Sequence, residues 1–272
     1  MRIGKRFASV RGVRWIRKSS TDVSSNSDLN FAFSGAGFLI SYHLGVAVYL
    51  QERGLLTSKS KVSGASGGAI TALAIAADQD LVAVQNDVKT MAGLCRNEGT
   101  WGRLEPRLRH LFKERFYDSV DIDKLSERLT IVTQQIWPKW ELLYADKFDS
   151  VDDLYGAIVA SCHVPFYLTK QFWTPFRGHF YIDGGLYNIV PEMTGYTKVC
   201  VFHAHLLRRL DYNISPSIDP DFPFTIWELA RFALFPPEAF VLDQIFELGK
   251  KSAALWAENE GKGIDVVKDN HL

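Results

Sequence analysis

The chain has 272 residues, of which 47% are hydrophobic, enough for one sizeable core and a single large domain. Its 31 basic and 31 acidic residues balance, so no overall field draws the protein to nucleic acid. Three cysteines without CxxC spacing argue against disulfides or a zinc site, and the longest apolar run, residues 67–77, is too short to cross a bilayer. We therefore expect a cytoplasmic protein with peripheral membrane contact.

Residues 1–28 are predicted to form a basic N-terminal extension and linker. The first 20 residues contain no acidic side chain, and their basic residues are Arg2, Lys5, Arg6, Arg11, Arg14, Arg17 and Lys18. This composition fits an organelle transit peptide, and it also fits a basic tail that contacts anionic lipid headgroups. Both interpretations stay open, and the first would make the protein organelle-targeted.

Strands and helices alternate from residue 29 onward. "LNFAF" (29–33) predicts a buried strand, and residues 40–54 predict a helix that ends at a glycine. "SKVSG" (60–64) predicts a second strand, which leads into a mostly apolar, central helix over 67–77. Further predictions, in chain order, are helices over 80–130, a strand over 129–137, a helix over 150–162, strands over 179–185 and 198–205, and two aromatic-rich helices from Phe224 separated by Pro236 and Pro237. This alternation indicates an α/β layered fold.

A glycine-rich loop, "SGAG" (34–37), connects the first predicted strand to the first predicted helix. Such a loop directs backbone N–H groups at a negative group, either a bound phosphate or an oxyanion that forms during a reaction. A dinucleotide-binding loop would require G-x-G-x-x-G, but Ile40 occupies the third glycine position, and no clear acidic residue follows about 20 residues later. The sequence therefore favours an oxyanion site.

The stretch "GASGG" (64–68) matches G-x-S-x-G between a predicted strand and a predicted helix. In that setting a serine is pushed clear of the backbone, and the helix start beside it favours developing negative charge. Ser66 is thus the candidate nucleophile, with Gly64, Gly67 and Gly68 forming the tight turn around it. A purely structural glycine turn is the alternative interpretation.

Asp183 ends a predicted strand and is followed by Gly184 and Gly185, which let the backbone turn so that the carboxylate can face a neighbouring group. Asp-Gly is also common in hairpin turns that have no catalytic role. A serine nucleophile needs a base, and an α/β-hydrolase triad could use Asp183 with His203 or His205. That family, however, usually places several strands before its nucleophile, whereas only two precede Ser66.

Together these motifs resemble the patatin-like lipid acyl hydrolases, and in particular their adipose triglyceride lipase branch. The resemblance covers residues 29–257 and is carried by "SGAGFLISYHLGVAVYL", "GASGGA", "ASCHVPFY" and residues 230–256. It implies a Ser–Asp dyad that works without histidine: Ser66 would be the nucleophile and Asp183 the base. Gly35, Ala36 and Gly37 fall where the family has its oxyanion hole.

The resemblance also implies a fold, a domain layout and an activity. It implies a three-layer sandwich with a central, mostly parallel sheet flanked by helices. The catalytic domain would span residues 29–205, and 206–272 would be a C-terminal aromatic-rich helical extension packed on it. The implied activity is hydrolysis of carboxylic esters of glycerolipids without metal or cofactor. Triacylglycerol is the favoured substrate; a phospholipase A, a galactolipid acyl hydrolase or a catalytically silent lipid-binding protein are the alternatives.

The resemblance further implies action at a lipid droplet or membrane surface, and it allows a protein co-activator. Two departures from the family pattern stand out. Leu39 and Ile40 occupy the place where many members carry a basic residue, and Asn188-Ile189 replaces the usual Asp-Asn pair after the catalytic aspartate. We expect about two thirds of the following aromatic side chains to lie in the core: Phe166, Tyr167, Phe172, Trp173, Phe224, Trp227, Phe232, Phe235 and Phe240.

Overall fold

The computed structural model describes residues 28–204 and 212–261. Nearly all of the predicted basic extension, the boundary at residues 205 and 206, and His205 lie outside the described residues. None of the described helices combines the length and the apolar character needed to cross a bilayer.

Eight α-helices and seven strands are described. The strands are β1 (Asn30–Phe33), β2 (Val62–Ala65), β3 (Leu129–Trp137), β4 (Glu141–Ala145), β5 (Thr174–Phe176), β6 (His179–Asp183) and β7 (Tyr196–Val199). The helices are α1 (Ile40–Glu52), α2 (Gly67–Ala76), α3 (Leu81–Glu98), α4 (Leu104–Phe116), α5 (Ile122–Arg128), α6 (Val151–Ser161), α7 (Ile226–Leu234) and α8 (Ala239–Asn259).

The seven strands form one central sheet, in which hydrogen-bonded neighbours follow the path β5-β6-β3-β2-β1-β7. β6 and β2 pair with successive parts of one edge of β3, and β4 pairs with its other edge. The β3-β2-β1-β7 part is parallel, whereas β4, β5 and β6 add antiparallel pairs. The sheet is therefore more mixed than the mostly parallel one expected. The reason is two short hairpins, β3–β4 and β5–β6, which the sequence pattern did not reveal. The α/β class with helices flanking the sheet is confirmed.

Two strands approach each other along the same edge of β3. Val132 of β3 pairs with Ala65 at the end of β2, and the next residue, Thr133, pairs with Asp183 at the end of β6. Because β4 pairs with both Val132 and Thr133 on the opposite edge, β2 and β6 share one edge. Because β2 runs parallel to β3 and β6 runs antiparallel to it, β2 and β6 point towards each other along this edge. The carboxyl ends of β2 and β6 therefore meet at this place beside β3.

The strand predicted over 198–205 is only partly correct, because β7 ends at Val199. Beyond that point the Cys200 N–H donates to the Ile214 carbonyl, 2.9 Å away, and the Val201 N–H donates to the Ser34 hydroxyl. The chain thus leaves the sheet because other segments supply its hydrogen-bond partners.

The C-terminal helices pack against the sheet domain through close backbone contacts. A Cβ atom on Gly45 of α1 would lie 1.9 Å from the carbonyl oxygen of Phe246, and one on Gly249 of α8 would lie 2.2 Å from that of Tyr42. α7 lies against the glycine-rich loop, because a Cβ atom on Gly37 would be 2.0 Å from the Ala233 carbonyl oxygen. These contacts require glycine.

The expected burial of the aromatic residues is wrong. Tyr167 is buried, and Phe224 and Phe232 are partly buried. Six of the nine are exposed instead: Phe166, Phe172, Trp173, Trp227, Phe235 and Phe240. Large apolar side chains that lie together on a surface usually mark a contact with another molecule or a membrane, so the exposure of these six side chains requires an explanation.

Candidate active site

Ser66 lies in a strained turn between β2 and α2. Its φ of 55° and ψ of −128° fall outside the regions that residues with a Cβ atom normally occupy. The Ser66 N–H donates to the Ser161 hydroxyl at 2.9 Å, and that hydroxyl donates to the Val132 carbonyl at 2.7 Å. This relay ties the strained turn to α6 and β3.

The tight turn depends on glycines whose neighbours leave no room for a side chain. A Cβ atom on Gly64 would lie 2.1 Å from the Gly68 carbonyl oxygen, and one on Gly68 would lie 2.3 Å from that of Ser34. β1, β2 and the start of α2 therefore approach one another backbone to backbone. The first turn of α2 follows Ser66 directly, so the positive end of the helix dipole lies beside the serine.

Asp183 is buried at the end of β6, with only 2% of its surface exposed. Its carboxylate accepts a hydrogen bond from the Gly185 N–H at 2.7 Å, and the Ser66 hydroxyl and the Leu186 N–H lie close enough to lower its pKa. Burial raises the pKa of Asp183 to about 7, and the neighbouring Ser66 hydroxyl and the N–H groups of Gly185 and Leu186 oppose that shift. The structure thus brings the two predicted residues side by side, at the meeting point of β2 and β6.

Gly184 and Gly185 allow the turn after Asp183 to lie close to β3 and the glycine-rich loop. A Cβ atom on Gly184 would lie 2.7 Å from the Val132 carbonyl oxygen, and one on Gly185 would lie 3.1 Å from the Cα of Gly35. The Asp183 N–H donates to the His163 carbonyl oxygen at 2.8 Å. Backbone contacts therefore fix the chain at Asp183 itself and in the turn that follows it, and these contacts position the carboxylate.

The glycine-rich loop lies beside Ser66, but its three residues are not equivalent. The Gly35 N–H donates to the Ile189 carbonyl at 2.8 Å and is therefore already engaged in a hydrogen bond. Within the described part of the chain, no hydrogen bond engages the N–H groups of Ala36 and Gly37. The Gly37 nitrogen lies 3.2 Å from where a Cβ atom of Gly67 would be.

A cavity of about 270 Å³ opens beside Ser66 and Asp183. It runs between α2, α3 and α4, and apolar side chains dominate its wall: Ile70, Leu73, Val84, Val88, Met91, Leu104, Leu108, Leu111, Phe112 and Phe116. Asp87 and Arg115 also line the cavity, where they form an ion pair with each other. Such a space is suited to a long apolar group attached to a reacting ester.

The histidines near the site do not contact the Ser66 hydroxyl. His43 is fully buried, its Nε2 lies 3.0 Å from the Ser34 carbonyl oxygen, and burial lowers its pKa to about 3. The Nε2 atoms of His163 and His203 lie 3.2 Å from the Gln171 carbonyl oxygen and 2.9 Å from that of Phe224. Among the described histidines, none is placed as a base for Ser66.

A family model for patatin-like phospholipases matches residues 31–196, which include the glycine-rich loop, Ser66 and Asp183. The chain belongs to the patatin-like phospholipase family.

Curated relatives of this patatin-like chain align with 85% of its length. Human patatin-like phospholipase domain-containing protein 5 is 30% identical, mouse 1-acylglycerol-3-phosphate O-acyltransferase Pnpla3 is 25% identical, and rat patatin-like phospholipase domain-containing protein 2 is 26% identical. The aligned part covers 57%, 59% and 51% of these proteins, respectively, so the chain matches little more than half of each relative.

Three contributors to the patatin-like site were not predicted from the sequence. Ser161 anchors the Ser66 turn, the His163 carbonyl fixes Asp183, and the Ile189 carbonyl holds Gly35. A small polar residue at the end of the buried, mostly apolar second half of α6 could have indicated Ser161, but backbone carbonyl roles leave no sequence signal. No group of three or more potential metal ligands occurs among the described residues.

Proposed function

We propose that this chain is a lipid acyl hydrolase that cleaves carboxylic ester bonds of glycerolipids, with Ser66 as nucleophile and Asp183 as base. The observation that carries the proposal is the position of the Ser66 hydroxyl beside the buried Asp183 carboxylate, whose pKa it lowers, at the mouth of an apolar cavity. The family membership agrees with this chemistry.

In the first step the Ser66 Oγ attacks the ester carbonyl carbon while its proton passes to Asp183. A carboxylate is normally too weak a base for a serine hydroxyl, but burial raises the pKa of Asp183 to about 7 and makes it a better one. The strained Ser66 backbone holds the hydroxyl in place, so less entropy is lost in orienting the nucleophile when it attacks.

The tetrahedral oxyanion would be stabilised by the N–H groups of Ala36 and Gly37, with the start of α2 beside it. Loss of one such donor typically raises the barrier by about 2.7–4 kcal/mol. The intermediate then collapses, the alcohol leaves with the proton held by Asp183, and the acyl group stays on Ser66. Water cleaves this acyl-enzyme with Asp183 again accepting a proton.

Triacylglycerol is the substrate we propose. The basic side chain on the described cavity wall, Arg115, is already paired with Asp87, so the wall offers no uncompensated positive charge to a phosphate group. Phospholipids and galactolipids are the competing esters, and transfer of the acyl group to an alcohol is the competing fate of the acyl-enzyme. The names of the relatives include both phospholipase and acyltransferase.

Covalent labelling tests the nucleophile. A fluorophosphonate probe is expected to modify the wild-type protein at Ser66 and to leave Ser66→Ala unmodified. Asp183→Asn should react at least about a hundredfold more slowly, because the base is lost, whereas His203→Ala should keep substantial activity. A wild-type protein that folds but does not react would favour a catalytically silent lipid-binding protein, and collapse of activity in His203→Ala would favour a triad.

A panel of purified glycerolipids tests the substrate. Radiolabelled triacylglycerol, phosphatidylcholine and monogalactosyldiacylglycerol are each given to wild type and to Ser66→Ala. We expect release of fatty acid from triacylglycerol by wild type alone. Cleavage of phospholipid without cleavage of triacylglycerol would contradict the substrate assignment and leave the dyad intact.

A further inference from the structure

An aromatic surface extends from the site along one side of the molecule. Its ring contacts form a chain in which Trp137 lies 5.7 Å from Phe180, Phe180 5.6 Å from Trp173, and Trp173 and Phe166 each 5.9 Å from Phe172. A further pair, Trp140 and Tyr187, has its ring centres 5.9 Å apart. We call this surface the aromatic rim, and its members are Trp137, Trp140, Phe166, Phe172, Trp173, Phe180 and Tyr187. All except Phe180 are between 46% and 63% exposed.

The aromatic rim lies at the same end of the sheet as the site. β3 continues five residues past Val132, the residue paired with the end of β2, before it ends at Trp137. At about 3.3 Å per residue, the β3–β4 turn therefore extends about 17 Å beyond the level of Ser66.

Two connections join the aromatic rim to the dyad. Leu186 lines the cavity, belongs to the turn that directly follows Asp183, and precedes Tyr187. On the other side, the Gln171 carbonyl accepts the N–H of Phe166 and lies 3.2 Å from Nε2 of His163, whose own carbonyl holds Asp183. A surface bound to the rim would thus face the residues that position the base.

Phe166 is held exposed at a cost in backbone energy. Its φ is 64°, in the left-handed region that favours glycine and asparagine, and its side chain is 56% exposed. A bulky apolar residue gains nothing from water at such a position. Strain of this kind is typically retained where the residue has a function.

We propose that the aromatic rim docks the protein on an anionic phospholipid surface, which places the mouth of the cavity against lipid. Tryptophan, tyrosine and phenylalanine side chains are suited to the boundary between headgroups and acyl chains. The two rim loops, residues 137–140 and 166–173, contain exposed Lys139 and Lys170 and no acidic residue, which complements anionic headgroups. This inference rests on the proposed function.

Vesicle sedimentation with the full chain tests the aromatic rim in a Ser66→Ala background, which prevents hydrolysis. Ser66→Ala is expected to bind vesicles of phosphatidylcholine with phosphatidylserine, and adding Trp137→Ser and Trp140→Ser should weaken binding about tenfold or more. The matched control is Tyr117→Ser, which changes a 43% exposed aromatic just after α4 and should bind normally. No vesicle binding, or an equal loss in the control, overturns the proposal.

Phe166→Asn separates docking from folding. Asparagine tolerates the left-handed backbone, so this variant should have a higher melting temperature and yet bind vesicles several-fold more weakly. Unchanged binding by this variant overturns the role of Phe166 in the rim.

Lys139→Gln with Lys170→Gln should weaken binding to vesicles with phosphatidylserine about tenfold and leave binding to phosphatidylcholine unchanged. Every variant keeps the basic residues 1–20, so differences among variants report on the rim loops. Equal binding of this variant and Ser66→Ala to both vesicles overturns the assignment of an anionic surface.

Hydrolysis by proteins with Ser66 intact distinguishes this inference from the proposed function. Trp137→Ser with Trp140→Ser should cleave a dispersed short-chain ester at the wild-type rate but cleave vesicle-borne ester at least tenfold more slowly. Equal loss on both esters overturns docking as the cause. If wild type cleaves neither ester while Ser66→Ala still needs the rim to bind vesicles, the proposed function fails and the docking surface stands.

Discussion

At the scale of single residues, the burial of Asp183 sets the pH range in which the proposed chemistry works. The base must be ionised to accept the Ser66 proton, and burial raises the pKa of Asp183 to about 7. We expect kcat/KM on a neutral ester to rise about tenfold per pH unit below pH 7 and to level off above it. A pH series on wild type and His203→Ala measures this. A flat profile from pH 5 to 8, or loss of the inflection in His203→Ala, would contradict the dyad.

Asp183 also makes the free energy of unfolding depend on pH, and the direction of this dependence follows from its raised pKa. Because the pKa of Asp183 is higher in the folded than in the unfolded state, its contribution to the free energy of unfolding is fully present below about pH 4 and is lost as pH rises through 7. Asp183→Asn should therefore gain about 3 kcal/mol of stability relative to wild type between pH 5 and pH 8. Urea denaturation of both proteins at each pH gives this difference.

His43 makes that comparison necessary. Burial lowers its pKa to about 3, so the folded state resists protonation and stability falls as pH drops below about 6.5, opposite in sign to the effect of Asp183. The two contributions partly cancel in wild type between pH 4 and 6.5. Since both proteins retain His43, only their difference isolates Asp183. A constant difference across the pH range would show that Asp183 has an ordinary pKa.

At the scale of elements, glycines fix how closely helices approach. Gly45→Ala would place a Cβ atom 1.9 Å from a backbone carbonyl of α8, so the α1–α8 pair must separate, at a cost of about 1–3 kcal/mol in the free energy of unfolding. Gly93→Ala on α3 is the matched control, because its Cβ atom would meet nothing closer than 4.0 Å. That change should stabilise by about 0.5–1 kcal/mol. Equal effects in urea denaturation would refute the close packing.

The same scale shows what the sequence could predict. The helix predicted over 150–162, the strands β1, β2, β3 and β6, and the helix break at Pro236 and Pro237 follow local chemistry, and the structure confirms them. β4 and β5 were missed because a short edge strand is defined by its partner rather than by its own pattern. Contact between Ser66 and Asp183 depends on two strands sharing one edge of β3, a long-range pairing that local periodicity does not encode.

At the scale of the whole molecule, the cavity joins parts of the chain that are distant in sequence. Its wall combines the sheet edge at Ser66 and Asp183, the helices α3 and α4, and the end of α7 at Leu234. Four residues separate the end of α2 from the start of α3, so the start of α3 lies near the end of α2, away from Ser66. Val84, in the first turn of α3, therefore lies in the part of the cavity away from Ser66, which we call its deep part.

This geometry predicts that the deep part of the cavity selects acyl length. Val84 lies on the cavity wall at the start of α3 and is buried, so Val84→Phe should shorten the space available to an acyl chain. We expect kcat/KM for long-chain acylglycerol to fall about tenfold while that for a butyrate ester stays within twofold, because a few lost methylene contacts exceed 1.4 kcal/mol. The control is Val82→Phe, because Val82 lies on the same helix but is 52% exposed; this change should alter kcat/KM for neither ester. If both esters slowed equally in Val84→Phe, the cavity would not hold the acyl chain.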